Sequence, residues 1–364
     1  MYEDKNGFIM PKIDAANCIY CKRCERICPV LNYKADVYLK HKCYAAYHLD
    51  ENVRHIGSSG SLFYALASEI LHHEGVVYAA EMCDDFYVKH TRASDIVSVC
   101  RQMKSKYVQS DTKHIYRNVL KDLRDGKEVM FVGTPCQVKA LSNILSSRMR
   151  ENILLIDFVC HGVPSQRLFH DSIKFFEKLN KVHVLSFSFR EKTTERLRNY
   201  GMKYKSADGV LHSVIDIPDK FPYLHGFFYH YTQRDCCYNC KHRSLERSSD
   251  LTLGDFWGIE DIGPEYADAN AGYSMIVVNS AKGNQILSSL KDCVIKEIPD
   301  GIKYVIRKNS AYTKQDRKSL MHNIFFWIYR NFGYPVCERY IFQHRLWHSI
   351  VFRIDKLLHV LNTK

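Results

Sequence analysis

The chain has 364 residues, 46% hydrophobic and 25% charged, an ordinary globular composition with room for two domains or one elaborate one. Lys and Arg outnumber Asp and Glu by 52 to 40, a formal charge of +12, but they spread along the whole length, which suits a solvated surface or the docking of acidic electron carriers and argues against nucleic-acid binding. No stretch approaches the ~18 consecutive apolar residues of a membrane span, and the start, "MYEDKNGFIMP", lacks the apolar core of a signal peptide. A cytoplasmic location is therefore expected, and there fourteen cysteines serve as metal or cluster ligands more readily than as a disulfide framework.

In chain order, the first informative stretch is "CIYCKRCERICPV". Its spacing, C-x2-C-x2-C-x3-C-P, is that of a bacterial ferredoxin run, in which three cysteines hold one 4Fe-4S cluster and the fourth reaches to a second cluster. Cys18, Cys21 and Cys24 are thus expected to ligate iron, and Cys28 points at a cluster whose other ligands are missing. Residues 1–42 read as a small partial ferredoxin-type module. Beyond "HKCYAAYHLDENVRHIG", helical runs such as "LFYALASEILHH" and "YRNVLKDLRDG" alternate with strand runs such as "GVVYAA" and "EVMFVG". That alternation predicts an α/β fold, a mixed sheet core flanked by helices.

"RHIGSSGSLFYAL" sets Ser58, Ser59, Gly60 and Ser61 before an amphipathic helix. Loop amides, hydroxyls and a helix N-terminus together suit an anion such as a flavin phosphate; the plainer reading is a helix cap. "MKSKYVQSDT" adds Lys106, Tyr107, Gln109, Ser110 and Thr112, groups suited to a flavin ring or ribityl chain, although solvated loop residues look the same.

"EVMFVGTPCQVKAL" reads as a buried strand running into a helix, with Thr134 as N-cap, Pro135 at the first helical position and Cys136 just inside. The helix dipole there is expected to lower the thiol pKa. "NILLIDFVCHGVPS" repeats the arrangement, with a strand ending at Cys160. In an open sheet both cysteines fall at carboxyl ends of strands, the edge where α/β proteins bind ligands. "CYNC" supplies Cys237 and Cys240, and four thiols then converge. A lone cysteine is commonly a small buried hydrophobe, and C-x2-C alone is also half a zinc knuckle. Two single, well-separated cysteines beside one pair fit an iron-sulfur site better than structural zinc. Cys236 is an alternative to Cys237; Cys43, Cys83, Cys100, Cys293 and Cys337 lack any ligand pattern. His161, next to Cys160, is a candidate proton relay, a role to be set against that of an ordinary turn histidine.

"VHVLSFSFRE", "YGMKYKS" and "VLHSVIDI" predict an antiparallel insert. "LTLGDFWGIED" ends a strand near Asp255, whose carboxylate can accept a hydrogen bond at a ligand. Trp347, Ile350, Val351, Ile354, Leu357, Leu358 and Leu361 share one face of a C-terminal helix, expected to pack on its own domain rather than on a partner or a membrane surface. The expected division is 1–42, 50–165 (flavin- and cluster-binding), 166–300 (insert and C-x2-C) and 301–364 (helical basic tail). No nucleophilic triad, glycosidase-type carboxylate pair or P-loop is found, so nothing points to hydrolysis.

Together "GSSGSLFYALASEILHHEGVVYAA", "SKYVQSD", "GTPCQVKAL", "CHGVPS", "CYNCKHRSLERSSDLTLGDFWGIED" and "MIVVNSAKG" resemble, in order and over roughly residues 7–300, the coenzyme F420 hydrogenase/dehydrogenase beta-subunit family. The resemblance implies an iron-sulfur flavoprotein oxidoreductase that passes electrons between a 4Fe-4S cluster and FAD, with FMN as the alternative, and on to a carrier or small organic substrate. It implies that Cys136, Cys160, Cys237 and Cys240 hold the cluster beside the flavin, and that Ser58 to Ser61 and Lys106 to Ser110 surround the flavin. It also implies a redox partner protein, a ferredoxin or a hydrogenase- or dehydrogenase-like subunit. Bacterial relatives begin with a full two-cluster module, of which this N-terminus resembles the second half, with the first cysteine run expected upstream of Met1; otherwise Cys28 or Cys43 closes an irregular cluster, or the module is empty. The competing readings are a non-catalytic electron-transfer subunit and a zinc-stabilised basic binding protein.

Overall fold

The structure, a computed structural model, describes residues 1–34, 41–266 and 268–339. The strands in chain order are β1 (Tyr2–Glu3), β2 (Ile9–Met10), β3 (Cys43–His48), β4 (Val76–Met82), β5 (Val88–Ala93), β6 (Val129–Val132), β7 (Ile153–Phe158), β8 (Val182–Glu191), β9 (Asn199–Ser206), β10 (Leu211–Asp216), β11 (Leu251–Asp255), β12 (Ser274–Val278) and β13 (Cys293–Glu297). Eight of them form the central sheet in the order β13-β3-β12-β11-β7-β6-β4-β5. Its middle, β4-β6-β7-β11, is parallel, and β5, β12, β3 and β13 join antiparallel to their neighbours. The expected mixed α/β core is therefore present.

The short apolar runs form strands because they are buried on both faces. Period-two alternation sorts them: Val77, Met130, Leu154 and Ile156 pack with Leu66 and Ile70 of the helix Leu62–His72. Tyr78, Phe131, Ile153 and Leu155 pack on the opposite face with Val119 of the helix Ile115–Arg124 and Val138 of the helix Pro135–Ser142.

The predicted insert is the separate antiparallel sheet β10-β9-β8. Its Phe187 and Phe189 share a core with Phe169, Tyr223 and Phe8, and with Phe325 and Phe326 of the helix Leu320–Phe332. Helical structure thus continues into the C-terminal region as expected; the proposed stripe from Trp347 to Leu361 lies outside the described residues. Among the described residues no helix is long and apolar enough to cross a membrane.

The hairpin β1-β2 is tied to the body, because Ile9 exchanges backbone hydrogen bonds with the Gln109 side chain at 2.8 and 2.9 Å. The cysteine run that follows is held where Asn143 Nδ2 donates to Ile27 O and Asn32 O. Cys43 is core, 2% exposed in β3, and burial pushes its thiol up to about 12. That placement removes Cys43 as the ligand closing an N-terminal cluster.

Candidate functional site

The parallel strands end along one edge, and their outgoing loops enclose a cavity of about 470 Å³, within the ~300–1,000 Å³ range of small-molecule sites. Cys136, Cys160, Cys237 and Cys240 all line it. So do Ser58, Ser59, Ser61, Lys106, Tyr107, Gln109 and Ser110. One enclosure thus gathers both groups of candidate residues, except Gly60. An added Cβ on Gly60 would stand 2.1 Å from Ala46 O, so this glycine serves the close packing of its loop on β3.

Local structure explains how the cysteines get there. Pro135 opens the helix Pro135–Ser142, and Gln137 Oε1 accepts from Thr134 N at 2.9 Å, fixing the turn that carries Cys136. Strand β7 stops at Phe158, two residues before Cys160, and Gly162 N donates to Cys160 Sγ at 3.4 Å. Gly162 has a φ of +94°, and an added Cβ would sit 3.1 Å from Cys237 Cβ, so only glycine lets the Cys160 loop lie directly on the C-x2-C segment. Arg234 N donates to Val163 O at 3.0 Å and locks the two segments together. From the other side, His322 of the C-terminal helix meets the Tyr238 hydroxyl at 3.0 Å and Asp235 Oδ1 at 2.9 Å.

The expected lowering of the Cys136 thiol by the helix dipole is overturned. Cys136 opens onto the cavity yet is enveloped by protein, and burial pushes it up to about 12 despite a hydrogen-bonding contact with Thr134 Oγ1 at 3.2 Å. Burial likewise pushes Cys160 to about 11, with Gly162 N, Arg243 and Arg247 opposing it. Desolvation outweighs the dipole of a two-turn helix. Among the described residues no three of His, Cys, Asp and Glu are placed to hold a single metal ion. A cubane cluster asks for something different, since its thiolates bind separate irons, and four cysteines around one enclosed cavity fit that donor set.

At the other end of the cavity the loop 57–61 adopts unusual backbone. Ser59 and Ser61 have φ of 51° and 64°, a left-handed conformation that disfavours side chains. Ser61 does not cap the following helix; its hydroxyl donates to Val53 O at 2.7 Å. The amides of Gly60 and Ser61 are already taken by Ser274 Oγ and Ser58 O, so the anion cradle is narrower than the loop's composition suggests. Lys106 Nζ caps the helix Ile96–Gln102 by donating to Gln102 O and Met103 O at 2.7 and 2.6 Å, and burial lowers its pKa to about 7. Gln109 is engaged by Ile9, and Ser110 Oγ accepts from Gln137 Nε2 at 2.9 Å.

Sequence reasoning missed a polar network beneath these groups. Arg190 pairs with Asp255 through two 2.9 Å hydrogen bonds and donates to the Tyr107 hydroxyl at 3.2 Å; Ser59 Oγ also donates to Asp255. Tyr107 stacks on Phe227, with ring centroids 4.6 Å apart. Arg190 holds the Asp255 carboxyl below its usual range against the burial that raises it. His90 Nε2 donates to Val132 O at 3.0 Å, so Nδ1 is left as an acceptor. His90 Nδ1, Gln102 Oε1 and Arg190 Nε are buried without a partner among the described residues, and all three residues line the cavity. Buried polar atoms are rarely left so, and a ligand carrying both donors and acceptors, as a flavin ring does, would satisfy them. The sequence signal for His90 and Arg190 was a polar residue at an inward position of an alternating strand.

His161 also lines the cavity; its ring is open to the cavity space yet surrounded by protein, and that desolvation lowers its pKa to about 4, leaving it neutral near pH 7. Cys18, Cys21, Cys24 and Cys28 do not line it; Cys21 and Cys24 are exposed on the N-terminal segment, whereas Pro29, next to Cys28, reaches the cavity wall.

Fold and cavity together define an α/β protein with a cysteine-lined cavity at the carboxyl edge of its parallel strands. Residues 126–300 match the family described as the C terminus of the coenzyme F420 hydrogenase/dehydrogenase beta subunit. Over those residues, just under half of its length, the chain is similar to that family. No protein of curated function matches the chain. Among solved structures, one chain of the F420-reducing NiFe hydrogenase complex from Methanosarcina barkeri is similar at a TM-score of 0.46, with 16% identity, covering 76% of this chain and 90% of that one.

Proposed function

We propose that the chain is an iron-sulfur flavoprotein oxidoreductase that exchanges electrons between a 4Fe-4S cluster and a flavin in one enclosed site. The observation that carries this reading is the shared cavity, in which Cys136, Cys160, Cys237 and Cys240 and the segments around Ser58 and Lys106 are all wall residues. The similarity of residues 126–300 to a hydrogenase/dehydrogenase beta-subunit family supports the redox class. The four cysteines are the proposed cluster ligands; Ser58, Ser59, Lys106 and Tyr107 are the proposed flavin contacts, with His90, Gln102 and Arg190 added to them. When bound, the cluster supplies single electrons and the flavin pairs them.

The protein's own part is placement and exclusion. Tyr107, held by Arg190 and stacked on Phe227, offers a fixed aromatic edge; the unpaired atoms of His90 and Gln102 orient a polar ring edge; apolar walls keep water out. A small organic substrate or carrier is proposed to approach through an adjoining cavity of about 640 Å³ that shares Arg198, Trp257 and His161 with the first. The N-terminal cysteines, on a segment that touches the wall through Pro29, are proposed to hold the entry cluster for electrons from a redox partner protein.

Anaerobic purification with counts of iron, zinc and flavin per chain tests this reading. Flavin with about four irons supports an inner cluster alone, and about eight supports an assembled N-terminal cluster as well. C136S and C240S are expected to lose the inner iron while leaving the fold intact; undiminished iron in both refutes the assignment, and zinc in place of iron refutes the redox reading.

A further inference from the structure

The thiol end of the cavity carries two buried guanidinium groups that the function outlined above does not use. Arg247 lines the cavity and its side chain is 2% exposed; its partner Asp157 is 1% exposed, with 3.5 Å between nitrogen and oxygen. Arg243, also a wall residue and 4% exposed in its side chain, pairs with Asp316 at 2.6 Å and donates to Lys314 O. Burying such charges costs several kcal/mol per ion, and apolar side chains of similar volume usually serve stability as well. Their retention beside four thiols calls for an electrostatic reason.

The position of Arg247 is fixed from several sides. Its Nε donates to Ser244 O at 2.8 Å and its NH2 to Tyr312 O at 2.9 Å, and the guanidinium lies 4.4 Å from the centre of the Tyr312 ring. Asp157 is engaged separately, accepting from Thr252 Oγ1 at 2.6 Å. The 3.5 Å separation leaves the ion pair loose, so the positive charge is only partly offset on its cavity side. Both arginines share the wall with the thiols: Arg243 N donates to Cys240 O at 3.4 Å, and Arg243 and Arg247 line the cavity together with Cys136, Cys160, Cys237 and Cys240.

We propose that Arg247, supported by Arg243, is the charge-tuning residue of the four-cysteine centre, raising its reduction potential so that it accepts electrons readily. A centre of four thiolates is anionic and gains one further negative charge on one-electron reduction, so a fixed cation in a low-dielectric wall favours the reduced form. Asp157 acts in the opposite sense. This inference rests on the cluster reading above and adds to it the residue that sets the potential.

The test is a dithionite redox titration of the iron-loaded chain, followed by electron paramagnetic resonance, on the wild type, R247M, R247K and D157N. R247M is expected to lower the reduced-to-oxidised ratio at a given poise by about tenfold, equivalent to about 59 mV for one electron. R247K should recover part of that loss, and D157N should shift the potential upward. A merely structural role would lower iron content or melting temperature in all variants without shifts of opposite sign. Should R247M fail to fold, R247K and D157N still decide the matter through the sign of their shifts. Full iron with unchanged potentials, or shifts of the same sign in R247K and D157N, overturns the tuning role while leaving the cluster standing. A wild-type chain that takes up no iron overturns the cluster reading and this inference with it.

Discussion

Single residues at this site have their properties set by burial. Asp255 is enclosed with Arg190 in a two-pronged pair, and removing one member leaves the other charge buried and uncompensated. D255A is expected to cost about 3–5 kcal/mol of stability, measurable by urea unfolding, and the D255A/R190M double variant should cost less than the sum of its single changes. His90 makes a prediction about acid. Burial lowers its pKa from 6.5 to about 4 in the folded chain, so between those values the unfolded chain binds more protons, and stability falls as the pH drops through that window and levels off below it. H90Q should remove one proton's worth of slope, at most about 1.4 kcal/mol per pH unit, from an unfolding series run between pH 6.5 and 4; an unchanged slope would contradict the burial argument. The same residue shows where sequence reading stops. A histidine in "VKHTRA" acquires meaning only once the strand's inner face is known to look into a cavity, and Arg190 lies within a bulged stretch of β8, where the register shifts between Ser188 and Glu191.

Elements, by contrast, were largely legible. "GVVYAA", "EVMFVG" and the three runs of the insert each became a strand, because short apolar or alternating runs between turn residues have few other ways to bury themselves. The strand-to-helix turn at Thr134 and Pro135 was legible for the same reason, since its capping chemistry is local. The occupied amides of Gly60 and Ser61 were not, since their partners, Ser274 and Ser58, are set by tertiary packing and by the left-handed backbone of the loop. One element works at a distance: the helix Leu320–Phe332 holds the C-x2-C segment through His322, which contacts Tyr238 and Asp235. H322A is expected to reduce iron retention at the inner site by several-fold on dialysis against a chelator, with helix content unchanged. Retention equal to the wild type would show that the segment is placed by its loop contacts alone.

At the scale of the whole molecule, the cavity is assembled from remote parts of the chain, with walls running from Met1 to Ala311. Its fourfold cysteine convergence was readable as a spacing pattern, whereas the buried cations around it were not, because Arg243 and Arg247 stand in "CKHRSLERSSD" like any solvated basic residues. The sheet order carries a temporal consequence. Strand Cys43–His48 lies between Ser274–Val278 and Cys293–Glu297, so during synthesis an early ribbon has to wait for its two neighbours, the last strands of the central sheet to be made. Such non-local pairing is slow, and loading of the inner site has to wait until both neighbours have emerged; a ribosome-stalled fragment ending before residue 274 should hold neither flavin nor inner cluster however much iron and flavin the cell supplies.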